Sequence, residues 1–117
     1  MRDHTKLRAF ELADSLALMV YEMTRTFPKE ELFGLTSQMR RAAVSVASNI
    51  VECCARSSET EFIRFLEIAY GSARELEYQA TLATRLGYLE SEKASELASC
   101  SVETSKVLNG LICSLRR

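Results

Sequence analysis

Tryptophan is absent from this 117-residue chain, proline and histidine occur once each, and glycine occurs four times. Each shortage excludes something. A single histidine, His4, cannot build a zinc site, and no Glu-x-x-His repeat of the kind used by di-metal helical bundles is present. It also leaves the serines without a base partner, and no G-x-S-x-G occurs. The glycines form neither G-x-G-x-x-G nor a phosphate loop. No catalytic, metal or cofactor constellation is legible, so no enzyme activity and no cofactor are expected. With 15 Lys+Arg against 16 Asp+Glu, the net charge of −1 lacks the basic excess of a polyanion binder. No apolar run reaches the roughly 20 residues of a bilayer span. The opening MRDHTKLRAFE has no apolar signal core. Residence in the cytoplasm, away from membranes, is the expectation. Cys53, Cys54, Cys100 and Cys113 form no C-x-x-C and are expected to be buried, reduced thiols that act as small apolar side chains.

What is present is helical periodicity, interrupted only where the few turn formers stand. Phe10, Ala13, Leu16, Ala17, Val20, Met23 and Phe27 recur at spacings of three and four, until Pro28 forces the preceding residue out of the helical region. Gly34 offers a turn with positive φ, and Thr36 offers a second N-cap. Leu35, Met39, Ala42, Val46, Ile50 and Cys53 then share a face. Ser58-Glu59-Thr60-Glu61 is a capping box, opening a third stripe from Phe62 to Leu86 that Gly87 stops. Leu97, Val102, Val107, Leu108, Leu111, Ile112 and Leu115 form a fourth. The expected helices are about 7–27, 36–56, 59–86 and 92–115. Short connections make neighbours antiparallel, so the expected architecture is a single-domain, all-α, up-down-up-down four-helix bundle spanning 1–117. Gly71-Ser72, in the middle of the third helix and flanked by Ala69 and Ala73, is read as a close approach between backbones.

One helix face resists a purely structural reading. Ser45, Ser48, Asn49 and Glu52 follow i, i+3, i+4, i+7 and lie beside the apolar stripe. Short polar side chains are poor choices for a solvated helix surface. They fit either a buried hydrogen-bond cluster reaching Arg74, Glu75 or Gln79 on the third helix, or a subunit interface or ligand groove that would also involve Gly71, Ser72 and Glu75. Arg40 and Arg41 stand about 100° apart. One is expected to reach a carboxylate of the third helix and the other to face solvent or a neighbouring chain. With Arg56, Lys29 and the terminal Arg116 and Arg117, they are the candidates for a phosphate-binding patch.

FPKEELFGLTSQMRRAAVSVASNIVE (27–52) and EFIRFLEIAYGSARELEYQ (61–79) carry a resemblance. Phe27-Pro28, Gly34-Leu35-Thr36, Arg41-Ala42-Ala43, Ser48-Asn49-Ile50 and Glu75-Leu76-Glu77 are its most specific elements. The chain resembles the 23S rRNA-intervening sequence protein family, bacterial four-helix bundles related to the accessory protein of diversity-generating retroelements. The resemblance implies an antiparallel bundle that assembles into a homo-oligomeric ring, typically a pentamer, and implies no enzyme. From the retroelement branch it implies contact with RNA or DNA, or with a reverse transcriptase, through a basic surface. Phe10 stands where the family carries tryptophan. Cys53-Cys54 replaces the glycine that follows Glu52 in the family, so the second helix is expected to continue to Arg56.

Overall fold

The computed structural model describes residues 2–117. Four α-helices carry the architecture: α1 (Arg8–Met23), α2 (Leu35–Cys54), α3 (Glu59–Arg85) and α4 (Ser91–Leu115). There is no strand among the described residues. Each helix packs against its neighbours in the chain, and α1 also packs on α4, which closes the bundle. The molecule is 43 × 23 × 19 Å. The long axis matches α3, whose 27 residues span about 40 Å at 1.5 Å per residue. No helix among the described residues is long and apolar enough to cross a membrane.

The helix ends differ from the sequence expectation in ways local chemistry explains. α1 stops at Met23 rather than Phe27. There the Thr24 hydroxyl donates to the Val20 carbonyl at 2.8 Å, and Thr24–Thr26 tightens into a 3₁₀ turn. Phe27 is extended (φ −65°, ψ 152°), as a residue before proline should be. A second 3₁₀ turn, Lys29–Glu31, leads to α2. Thr36 is not the N-cap, because α2 begins at Leu35 and buries Thr36. The capping group is Glu31, whose Oε1 accepts from the Leu35 amide at 3.1 Å. Gly34 does not use positive φ (it lies at −111°). A Cβ there would stand 2.7 Å from that same Glu31 oxygen. α2 ends at Cys54, short of Arg56, with Ala55 as C-cap. The capping box holds in its first half: Ser58 Oγ accepts from the Glu61 amide at 3.1 Å. Past α3, Gly87 takes φ +80°, the left-handed conformation that glycine permits.

The core forms two clusters. One surrounds Leu16, Val20, Phe27, Met39, Leu76 and Leu97, and the other Ile50, Cys53, Phe62, Leu66, Leu108 and Ile112. Leu86 and Val102, assigned to buried stripes by spacing, are 50% and 38% exposed. In α4 the buried face carries Ser101, Thr104 and Ser105 instead. Thr104 donates to the Cys100 carbonyl at 2.7 Å and Ser105 to Glu77 of α3, whereas Ser101 Oγ is buried without a hydrogen-bond partner among the described residues.

Candidate functional site: a polar cleft across the second and third helices

Ser45, Asn49 and Ser72 come together where α2 crosses α3. Their helical spacing puts Ser45 and Asn49 one turn apart on the flank of α2 that meets α3. Ser45 Oγ and Ser72 Oγ are 2.8 Å apart. Asn49 Nδ2 donates to the Ser45 carbonyl at 2.8 Å and to Ser45 Oγ at 3.0 Å. Ser45 Oγ has two lone pairs, so it can accept from Asn49 and still share a hydrogen bond with Ser72 in either direction. The partner on the third helix is thus Ser72, and not Arg74, Glu75 or Gln79 as the sequence suggested. Gln79 lies deeper, its Nε2 donating to Glu75 at 3.5 Å, with Oε1 buried and unpartnered among the described residues. Ser48 is exposed. Glu52 pairs with Arg56 one turn on, outside the serine cluster.

Gly71 corrects a second expectation. It is exposed, and a Cβ built on it would meet nothing within 4 Å. No other helix of this chain approaches it. Ser72 makes the contact that was assigned to Gly71.

Above the serine pair the surface opens into a cleft of about 700 Å³, with Tyr21, Gln38, Arg40, Arg41 and Glu75 on its walls. Arg40 is half-buried. Its Nε donates to Thr24 Oγ1 at 2.8 Å, and its guanidinium lies 4.8 Å from the Tyr21 ring centroid. It therefore reaches α1 and the turn beyond it, and not a carboxylate of α3. Arg41, one residue on, is exposed. Among the described residues neither arginine has a carboxylate oxygen within 4.0 Å.

The other basic candidates do not join them. Arg56 is 16 residues further along the chain, about 24 Å of helix away. There it pairs with Glu52 and lies 4.9 Å from the Phe65 ring centroid. Arg116 pairs with Glu67. Lys29 is exposed in the 3₁₀ turn and Arg117 at the chain end. The phosphate patch read from sequence is split between opposite ends of the molecule. Thr24 and Tyr21, the groups that hold Arg40, escaped sequence reasoning because the crossing of α1 over α2 brings them there.

Across α3, a second groove of about 340 Å³ lies toward α4, lined by Ala80, Thr81, Ala94, Ala98 and Val102 among others. The cysteines are free: Cys53 and Cys54 are buried, Cys100 is half-buried and Cys113 is exposed. Cys113 thus departs from the expectation of burial. Burial, with the neighbouring Cys54 thiol adding to it, pushes the Cys53 thiol up to about 12. Burial also raises the Cys100 thiol. Among the described residues no three His, Cys, Asp or Glu side chains gather as a metal site would require.

The model of the 23S rRNA-intervening sequence protein family matches residues 5–110. The chain belongs to that family. Its fold is similar to the crystal structure of a protein of unknown function from the S23 ribosomal protein family of Bacteroides thetaiotaomicron VPI-5482. The two share 26% identity with a TM-score of 0.83, over 89% of this chain and 97% of that one. No curated protein matches the chain. The bundle expected from periodicity is thus also the fold of a solved relative whose own function is unknown.

Proposed function

We propose that this family member is a non-enzymatic scaffold that assembles with copies of itself into a closed ring and presents a binding surface to a partner in the cytoplasm. The observation that carries the reading is the outer face of α2 and α3. A soluble monomer favours long charged side chains there, yet this face holds Ser45, Ser48 and Gly71 beside Ile68 and Tyr78, which are 40% and 59% exposed. Membership of the family adds the expectation of five copies. Light scattering after size exclusion tests it: the expected mass is five times 13.2 kDa. A mass of 13.2 kDa at every concentration rejects self-assembly.

A second reading, an accessory module that binds RNA or DNA, draws support from Arg40 and Arg41. Among the described residues neither has a carboxylate oxygen within 4.0 Å, and Arg40 lies against Tyr21, a combination suited to phosphate and base. The net charge of −1 and the pairing of Arg56 and Arg116 weigh against it. Filter binding to RNA across a salt series decides. Phosphate-driven binding weakens steeply with salt and is lost in Arg40→Ala/Arg41→Ala, whereas absence of binding at low salt leaves the scaffold alone.

A further inference from the structure

We infer that the outer face of α2 and α3 receives the outer face of α1 and α4 from a second copy of this chain, at the level of the Ser45–Ser72 contact. The inference rests on the self-assembly reading and adds which surfaces meet.

Three contacts set the relative heights of the helices. Ser45 touches Ser72, Ser105 donates to Glu77, and Arg40 donates to Thr24. Counting along the antiparallel helices from these contacts brings Leu18 of α1 and Gly110 of α4 to about the height of Ser45 and Ser72. The α2/α3 face is recessed at that height, because its residues there are Ser45, Ser48, Gly71 and Ser72. The α1/α4 face protrudes there through Leu18, which is 69% exposed, more than any other large apolar side chain within the four helices. Gly110 of α4 is exposed at about the same height, and, as at Gly71, a Cβ would meet nothing within 4 Å. Glycine lowers helix stability, and packing inside this chain explains neither one. A helix from another copy laid across them does.

Charge selects the same pairing. Arg41 on α2 is exposed, with no carboxylate oxygen within 4.0 Å among the described residues. Glu103 on α4 is exposed, with no Lys, Arg or His nitrogen within that distance among the described residues. The same counting places these two residues within one helical turn of each other in height. The two faces lie on opposite sides of the bundle, since α1 to α4 follow one another around it. The contact is therefore heterologous: each copy offers its recess to one neighbour and its leucine to the next, and the series closes where the rotation allows.

The test uses the full chain and three variants of exposed residues, each checked for helix content by circular dichroism. Arg41→Glu and Glu103→Arg should each raise the dissociation constant of the assembly about tenfold or more, and the double variant should recover it. Leu18→Asp should weaken assembly similarly, although Leu18 lies outside the α2/α3 face. Loss in the single variants with recovery in the double supports the inference. Loss without recovery overturns the pairing of these faces. An assembled wild type whose mass none of the variants changes overturns the inference and leaves self-assembly standing. A wild type that is monomeric throughout removes both.

Discussion

The two ends of the bundle are held by different chemistry. Where α2 begins and α3 finishes, a single carboxylate organises the chain. Glu31 accepts from the Leu35 amide and, at 2.9 Å, from the Tyr88 hydroxyl. Phe27 lies against Tyr88 with ring centroids 5.3 Å apart. At the other end, arginines do the joining. Arg2 pairs with Glu59 and lies 3.7 Å from the Phe62 ring centroid. Arg56 pairs with Glu52 beside Phe65, and Arg116 pairs with Glu67. The difference teaches where charge is spent. At the arginine-rich end Arg2, Arg56 and Arg116 are each paired within the chain, which leaves these three little for a phosphate. Arg40 and Arg41, with no carboxylate oxygen within 4.0 Å among the described residues, sit toward the other end, where Arg25 pairs with Glu22 but no ion pair joins two helices among the described residues.

The largest expected effect tests whether the two ends fold as one. Leu16→Ala and Leu66→Ala empty fully buried positions in the two core clusters. Each is expected to cost about 2–5 kcal/mol in denaturant unfolding, in a single transition. Two transitions would break the comparison into independent ends. Glu31→Ala removes a helix cap and a side-chain hydrogen bond together, with an expected loss of about 1–2 kcal/mol. Measured against wild type in the same assay, Glu31→Gln should retain most of that. Arg56→Ala and Arg116→Ala break exposed pairs, so each should cost about 1 kcal/mol or less and cost less still in high salt. A salt-independent loss would show that Arg56 acts through its packing on Phe65 instead.

The smallest effect separates the ends by pH. The hydrogen bond to Glu31 favours the neutral phenol and holds the Tyr88 hydroxyl above its ordinary value. Its contribution is therefore complete below the usual tyrosine range and is lost as pH rises through the raised value. The Asp3 carboxyl has the opposite sign. Hydrogen bonds from Thr5 lower it, so its contribution is present at neutral pH and fades as pH falls through the lowered value. Thermal melts across pH should show a small alkaline loss that Tyr88→Phe abolishes and a small acid loss that Asp3→Ala abolishes.

Much of this was legible in one dimension because helices are local. The spacing of Leu16, Val20 and Met23, the Ser58 cap and the left-handed Gly87 each follow from residues within a turn or two of one another. The i, i+4 pair of Ser45 and Asn49 could be placed on one flank of α2 for the same reason. Ser72 could not be chosen over Glu75 or Gln79, since that choice depends on how far α3 slides along α2. Nor could Thr24 and Tyr21 be assigned to Arg40. Val102 and Leu86 were misplaced because periodicity marks a stripe without knowing where the neighbouring helix ends.

By itself, then, the sequence determined four amphipathic helices, their punctuation and their antiparallel order, because hydrogen bonding within a helix and short connections leave few alternatives. Only the tertiary structure decided which polar groups meet, that Arg40 and Arg41 stay without carboxylates while Arg56 and Arg116 do not, and that Gly71 faces outward. Those outcomes depend on the rotation and axial slide of each helix against its neighbours, which are settled by packing the whole core at once.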